Sequence, residues 1–335
     1  MISLWVGCSM IGLSSICLLV NVVVLSIIAF NPEFTVNSSY KIMLLMGFYD
    51  ITQLSVHFIT GLITVFQFEP VFWVSKVLGI IISPSYESYV FVTMLLACNR
   101  FVLLCCPWYE QKLFSATGNK VWIGLSLIVF AVFALPISSN QVHYHYSISS
   151  FHWYYDTEFR YSNLAKVLSM YYQIIGMFVA WSFYVAITIG LIKYRKKVTA
   201  QRHYRANRKI LFQAFVLTVY CTIQNVFWHK GKELLRVQHP QIRSFVINMM
   251  WIGNGGINAF ICIVINNIVQ KKLKLGFARI LKNIFGFSAA LFRARNKLFL
   301  FYSSSKRTLR EWPWKFLLLS LLSLLPSLKD DQQCH

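Results

Sequence analysis

Charged residues are scarce in this 335-residue chain, and acidic residues are the scarcest. Asp, Glu, Lys and Arg make up only 13% of the sequence, with 11 acidic residues against 32 basic ones and a net charge of +21. Hydrophobic residues make up 57%. A water-soluble domain of this composition would lack the polar side chains that cover a surface. The composition therefore predicts a polytopic membrane protein.

The basic residues do not form the pattern of a nucleic-acid-binding surface. They lie between apolar runs and along the C-terminal tail. This placement is expected for loops that face anionic lipid on the cytoplasmic side of a membrane. We therefore expect contacts with membrane lipids and no nucleic-acid partner.

The sequence also lacks the patterns of an enzyme or a metal centre. Its eight cysteines have no zinc-finger spacing, and all but one fall in or beside apolar runs, which favours packing roles. No apolar run carries a nucleophile–base pair. A histidine-rich loop comes nearest to a zinc site, although aromatic outer loops carry such residues without a metal. Its members are His143, His145, His152, Asp156 and Glu158. We predict no enzymatic activity, no metal and no cofactor.

Seven apolar runs are long enough to cross a bilayer, which takes about 20 predominantly apolar residues. They lie at Leu4–Phe30, Lys41–Phe66, Val77–Cys105, Val121–Ser138, Leu164–Ile192, Ile210–Trp228 and Ile242–Val269. The first run follows Met1 without a basic segment, which predicts a signal anchor rather than a cleaved signal peptide. The predicted fold class is an all-α membrane protein with a seven-transmembrane-helix bundle.

Lysines and arginines in the loops predict the orientation of the bundle. The loop between runs five and six holds eight basic residues and no acid, and more basic residues follow run seven. Both segments are therefore expected in the cytoplasm, which places the N-terminus outside. Residues 271–287 carry apolar side chains on one face and basic ones opposite, the pattern of a short amphipathic helix at the membrane interface. We predict a receptor domain at 1–287, including this helix, and a disordered or interfacial cytoplasmic tail at 288–335.

Polar residues recur on single faces of several runs, and buried polar groups in lipid need partners. Run two carries Asp50, Gln53, His57, Thr60 and Thr64 at helical spacing, and polar residues of runs three, six and seven also concentrate toward the outer half. This distribution predicts a polar-lined cavity that opens to the outside. At the other end, Arg100 closes run three, where it either reaches the lipid headgroups or acts as a buried switch residue.

Several of these positions resemble motifs of one receptor family. Asn99-Arg100-Phe101, with Pro107 seven residues past the arginine, resembles the Asp-Arg-Tyr motif of rhodopsin-like G-protein-coupled receptors. The segment Asn258-Ala259-Phe260-Ile261-Cys262 resembles their Asn-Pro-x-x-Tyr motif. More narrowly, the segments at 39–50 and 96–100 are similar to nematode serpentine chemoreceptors, class T, and the resemblance covers about residues 21–287.

The resemblance implies a chemosensory receptor that binds a small odorant or pheromone from outside and activates a heterotrimeric G protein. It also implies signal transduction at the plasma membrane, in the cilia of sensory neurons, and leaves receptor oligomers open. The implied ligand contacts are His57, Glu87, Tyr172, Gln224 and Asn254. The implied activation and G-protein contacts are Asn99, Arg100, Phe101 and Asn258, and the implied polar core is Asn21, Asp50 and Asn258.

The sequence departs from the family pattern at three places. No cysteine lies near Ser75 or Lys76 or in the loop at 139–163, so the usual extracellular disulfide cannot form. Run six lacks a proline. Asn99 replaces the acidic neighbour of Arg100, and the basic third loop offers no carboxylate. We therefore predict that no ionic latch holds Arg100.

Four alternatives stay open at this level. Asp50 would hold a sodium ion or join a water-filled hydrogen-bond network with Asn21 and Asn258. Glu87 would be a counter-ion for a cationic ligand or a protonated acid bonded to neighbouring helices. His57 would contact the ligand or be satisfied within the bundle. The alternative to a receptor is a polytopic transporter or ligand-gated channel.

Overall fold

The described residues form a bundle of long helices. The computed structural model describes residues 2–35, 37–198, 202–235, 239–276 and 278. Within these ranges, seven helices are long and apolar enough to cross a membrane. They are α1 (Ile2–Ala29), α2 (Ser38–Phe66), α3 (Phe72–Cys105), α4 (Ala116–Ser138), α5 (Ser162–Val198), α6 (Arg202–Leu234) and α7 (Pro240–Ile265). The predicted all-α seven-transmembrane-helix bundle is confirmed.

Local sequence determines where several helices begin and end. The side chain of Asn37 accepts a hydrogen bond from the Ser39 N–H at the start of α2, at 3.0 Å. Ser115 accepts one from the Gly118 N–H at the start of α4, at 3.1 Å. These caps satisfy N–H groups that have no partner in the first helical turn. At the end of α2, Gln67 takes a left-handed conformation with φ 51°, which stops the helix.

α3 lies at the centre of the bundle. It packs against α2, α4, α5 and α6. Within its most apolar segment 61% of the residues are buried, against 11% for α4. The outward face of α4 is apolar and includes exposed Val132 and Leu135. A continuous apolar exterior of this kind is expected where lipid covers the protein.

A β-hairpin connects α4 to α5. Its strands are β1 (Tyr144–Ser147) and β2 (His152–Tyr155), which pair antiparallel with Tyr144 opposite Tyr155. Tyr146 and Trp153 point inward and are buried. β1 contacts α3 near its first turns. We call this side of the bundle the hairpin end, and the opposite side, where α3 finishes, the Arg100 end.

The chain divides into a unit at Met1–Lys272 and a unit at Leu273–His335. The first unit contains all seven helices. After α7 the backbone is helical again at 267–276, where the predicted interfacial helix begins. The rest of that predicted helix, apart from Ala278, and the predicted tail at 288–335 lie outside the described residues.

Candidate functional site

A cavity lies beneath the hairpin, between four helices. About 310 Å³ of space that no protein atom fills lies here, part of it open to solvent. Its lining comes from α3, α5, α6, α7 and both strands. The lining residues are Ser83, Tyr86, Glu87, Tyr144, Tyr155, Ser169, Gln173, Trp228 and Trp251. An aromatic wall around one acidic side chain characterises this cavity.

Glu87 is the acidic side chain of the cavity, and it is 1% exposed. Its Oε1 accepts hydrogen bonds from the Ser169 hydroxyl and from Gln173 Nε2, the latter at 2.6 Å. Its Oε2 has no hydrogen-bond partner among the described residues. The Gln173 Oε1 in turn accepts from His229 Nε2, at 2.8 Å. Glu87 is thus fixed on one oxygen by α5, and α6 orients the glutamine that does so.

The hairpin forms the roof of the cavity through Tyr144 and Tyr155. The Tyr155 hydroxyl lies 3.3 Å from the Ser83 hydroxyl of α3. The Tyr144 backbone passes so close to α3 that a Cβ on Gly79 would overlap the Tyr144 carbonyl oxygen. Glycine at this position therefore permits the roof to sit directly on α3.

Lys76 ties the roof to α3 from one side. Its side chain is 2% exposed, and its ammonium donates hydrogen bonds to the carbonyls of Ser139 and Val142, which flank the start of the loop that holds the hairpin. The ammonium also lies 5.5 Å from the centre of the Phe72 ring. The lysine thus connects the two segments that the missing disulfide of the family pattern would have joined.

Two stacked histidines support the hairpin. The rings of His143 and His145 lie 4.6 Å apart, and His145 Nε2 lies 2.7 Å from the Tyr154 hydroxyl. Burial, reinforced by His145 and Lys76, lowers the pKa of His143 from 6.5 to about 4, although Asp156 acts in the opposite direction. Burial also lowers the pKa of His145. Both rings are therefore neutral near pH 7. The described residues contain no group of three or more ligands suited to a metal ion.

Trp251 closes the cavity toward the centre of the bundle. Its indole N–H donates to Gln53 Oε1 of α2 at 2.8 Å. Its ring meets Trp228 edge-on, with ring centres 4.9 Å apart, and His57 on another side, at 5.0 Å. The indole thus connects the cavity wall to α2 and α6.

Deeper in the bundle, Asp50 lies fully buried without a hydrogen-bond partner on either oxygen among the described residues. Asn21 donates to the carbonyls of Cys17 and Gly255, at 2.9 and 2.8 Å. Asn258 accepts from Gln213 at 3.2 Å. Each of the three predicted core residues is buried, but no direct hydrogen bond links Asn21, Asp50 and Asn258 to one another in the described part of the chain.

At the other end of α3, Arg100 belongs to a chain of polar side chains. Arg100 Nη1 donates to the Ser39 hydroxyl at 2.6 Å, and that hydroxyl donates to Asn99 Oδ1 at 2.6 Å. Asn99 Nδ2 donates to the Ser38 hydroxyl at 3.0 Å, which donates to Glu110 Oε1 at 3.1 Å. The chain fixes the start of α2 against the end of α3 and the short helix that follows it.

Arg100 is buried rather than extended toward a lipid headgroup, with 1% of its surface exposed. Tyr40, Tyr184 and Cys262 lie near its guanidinium. Its Nε and Nη2 have no hydrogen-bond partner, and it forms no ion pair with any side chain that the structure describes. A hydroxyl therefore holds the arginine where the family pattern would supply a carboxylate.

The family follows from comparison with known proteins. The model of the family described as "Serpentine type 7TM GPCR chemoreceptor Srt" matches residues 2–283, nearly the whole chain. The chain belongs to this Srt family. The crystal structure of squid rhodopsin is similar in fold, with a TM-score of 0.68 and 13% sequence identity over 84% of this chain and 86% of that one. No curated protein is significantly similar to the chain.

Of the five ligand contacts predicted for this Srt receptor, Glu87 lines the cavity. His57 lies behind Trp251, and Asn254 Oδ1 accepts from the Tyr89 hydroxyl at 3.4 Å. Gln224 is buried in α6, and the Tyr172 ring packs against Phe133 of α4, 4.9 Å between ring centres. None of these four side chains is among the lining residues.

The predicted activation residues occupy two neighbourhoods. Asn99 and Arg100 share the polar chain at the end of α3. The Phe101 ring packs against Phe183 of α5, 5.8 Å between ring centres. Asn258 lies on α7 and bonds to α6 through Gln213.

The sequence analysis did not identify several residues of the cavity beneath the hairpin and of the contacts around it. The aromatic wall and the pair Ser169 and Gln173 were not predicted, although the spacing of four residues between these two indicates one polar helix face. Lys76 and Ser39 were not predicted as partners either. Their roles depend on backbone carbonyls and a hydroxyl of other segments, which the sequence does not bring together.

Proposed function

We propose that this Srt receptor binds a small odorant or pheromone in the cavity beneath the hairpin and activates a heterotrimeric G protein at the Arg100 end. One observation carries the proposal: the same buried helix bears an acid in the cavity and an arginine at the opposite end. Glu87 and Arg100 lie thirteen positions apart on α3, or about 20 Å at 1.5 Å per residue.

The mechanism follows from these contacts as a shift between two packings of the bundle. Ligand in the cavity displaces Trp251 and Trp228, which connect the cavity to α2 and α6. Outward movement of α6 then exposes the end of α3, where Arg100 leaves Ser39 and meets the G protein. Residues 193–209, which include the end of α5 and the start of α6, carry eight basic residues and no acid, which suits an acidic partner.

Replacing Arg100 tests the coupling half of the proposal. In cells that express the chain, a screen of volatile and ascaroside-like compounds with a calcium or cAMP readout identifies an agonist. Arg100→Ala should then abolish signalling while ligand affinity stays within a few fold. Lys112→Ala, at the same end of the molecule, should signal normally. Full signalling by Arg100→Ala would refute the proposed role.

The orientation has its own test. The distribution of basic residues supports an N-terminus on the outside and a hairpin end that faces the exterior. An epitope tag on Met1 should be stained on intact cells, in the cilia when the chain is expressed in sensory neurons. A tag that becomes accessible only after permeabilisation would invert the orientation and remove the proposed access of an external ligand to the cavity.

A further inference from the structure

Glu87 gives the cavity a chemical preference. Both hydrogen bonds to its carboxylate reach Oε1, whereas the equally buried Oε2 has no partner among the described residues. A buried carboxylate oxygen needs a donor, a cation or a proton of its own. No lysine, arginine or histidine is among the nine lining residues. The cavity itself therefore supplies no positive charge for this acid.

The neighbouring polar groups keep Glu87 an acceptor. Gln173 directs its NH₂ group to Glu87 and its carbonyl oxygen to His229. Because the amide oxygen accepts from His229, the amide is fixed with its donor side toward the acid. Ser169 also donates to Glu87 and hydrogen-bonds with Gln173, at 3.1 Å. Oε1 is therefore occupied as an acceptor, and Oε2 is the oxygen that a ligand can reach.

The aromatic wall adds a second attraction for positive charge. Tyr86, Tyr144, Tyr155, Trp228 and Trp251 contribute five of the nine lining residues. Tyr86 and Tyr155 already use their hydroxyls, since Tyr86 donates to Asn225 at 3.0 Å and Tyr155 lies at 3.3 Å from Ser83. Their rings still line the cavity, and the face of an aromatic ring attracts an ammonium group within about 6 Å of the ring centre.

From these contacts, and on the basis of the proposed function, we infer that the ligand class is a cationic amine. Its ammonium group faces Glu87 Oε2, and its apolar body lies against the tryptophans and tyrosines. An anionic ligand is rejected because like charges would meet in a buried site. A neutral ligand of the same shape offers at most an uncharged hydrogen bond to the carboxylate oxygen, so it binds more weakly.

The test compares probes of matched shape and different charge on the purified full chain in lipid nanodiscs. The cationic probes are methylammonium, phenethylamine and benzyltrimethylammonium, and the probes matched to phenethylamine are neutral 2-phenylethanol and anionic phenylacetate. Thermal unfolding is followed while each probe is titrated. We expect at least one cation to raise the melting temperature in a saturable manner and by more than the alcohol does, while the carboxylate leaves it unchanged.

Variants assign the effect to the cavity. Glu87→Gln preserves shape and removes charge, and it should weaken binding of the effective cation about 30-fold or more, as expected when one partner of a buried charge pair is lost. Glu158→Gln removes an exposed carboxylate at the same end of the molecule and should bind normally. The probe comparison on the unmodified chain remains decisive even where Glu87→Gln does not fold.

Three results would overturn the inference: no cation stabilises the chain, the neutral alcohol stabilises it equally, or Glu87→Gln retains full affinity. Nucleotide exchange on added G proteins is measured in parallel. A receptor that drives exchange with a neutral agonist keeps the proposed function and loses this ligand class. A receptor that binds amines but drives no exchange on any G protein loses the proposed function instead.

Discussion

Replacing Lys76 with methionine should loosen the hairpin over the cavity. Lys76→Met keeps the length of the side chain and removes the ammonium that donates to the carbonyls of Ser139 and Val142. The side chain is 2% exposed, so water does not readily replace the lost donor. The variant therefore tests the hydrogen bonds of the Lys76 ammonium, which we call the tether, separately from the packing of the methylene chain.

The expected magnitude follows from two opposing effects. Hydrogen bonds to a charged group contribute about 1.5–3 kcal/mol each, while a buried ammonium carries a desolvation penalty that methionine removes. The bond to Val142 is long, at 3.3 Å, and contributes less than the bond to Ser139. We expect a net loss of about 1–3 kcal/mol in the free energy of local opening, or roughly 5- to 150-fold faster amide exchange.

Hydrogen exchange of residues 140–160, measured by mass spectrometry on the full chain in nanodiscs, reports this opening directly. Lys166→Met removes an exposed lysine at the same end of the bundle and serves as the matched control. Exchange elsewhere in α3 should not change. Unchanged exchange in the hairpin of Lys76→Met would show that the aromatic contacts alone hold the roof, and the tether would have no role.

Three further predictions address other contacts. Ser39→Ala removes the hydroxyl that holds Arg100 and should raise agonist-free nucleotide exchange severalfold; unchanged basal exchange would mean that Ser39 does not restrain the arginine. Gly79→Val places a side chain against the Tyr144 carbonyl and should accelerate hydrogen exchange of the hairpin, whereas wild-type exchange rates would refute the close approach. The pKa of His143 is about 4 in the closed hairpin, against an ordinary 6.5. Between these pH values the open hairpin binds more protons than the closed one, so the stability of the closed hairpin should fall as the pH decreases from 6.5 to 4. Exchange measured from pH 7 to pH 4 checks this, after correction for intrinsic rates, and His143→Gln should flatten the dependence.

The sequence predicted the helices well because lipid imposes a strong pattern. Every predicted run overlaps one of the seven helices, and the run at 77–105 finishes with α3 at Cys105. Boundaries differ where helices continue beyond the apolar core. α6 begins at Arg202, eight residues before its predicted run, because hydropathy marks the width of the hydrocarbon and not the length of the helix.

The hairpin and the cavity wall were harder to predict. Tyr144, Tyr146 and Trp153 alternate with polar neighbours at the period of a strand, but four residues are too few to distinguish a strand from an aromatic loop. Glu87 was predictable as a buried acid because intramembrane acids are rarely without a role. The partners of Glu87 on α5 and the tryptophans opposite it depend on how the helices rotate against one another, which side-chain packing determines.

In the proposed mechanism, the Ser39 hydroxyl that holds Arg100 sets a low threshold for response. A bond of about 1.5–3 kcal/mol favours the resting arrangement by roughly 10- to 150-fold. A ligand that prefers the other arrangement by the same factor brings the two into balance. Such a protein would signal to some extent without a ligand. In return, a compound with only modest selectivity between the two arrangements would be enough to shift the population.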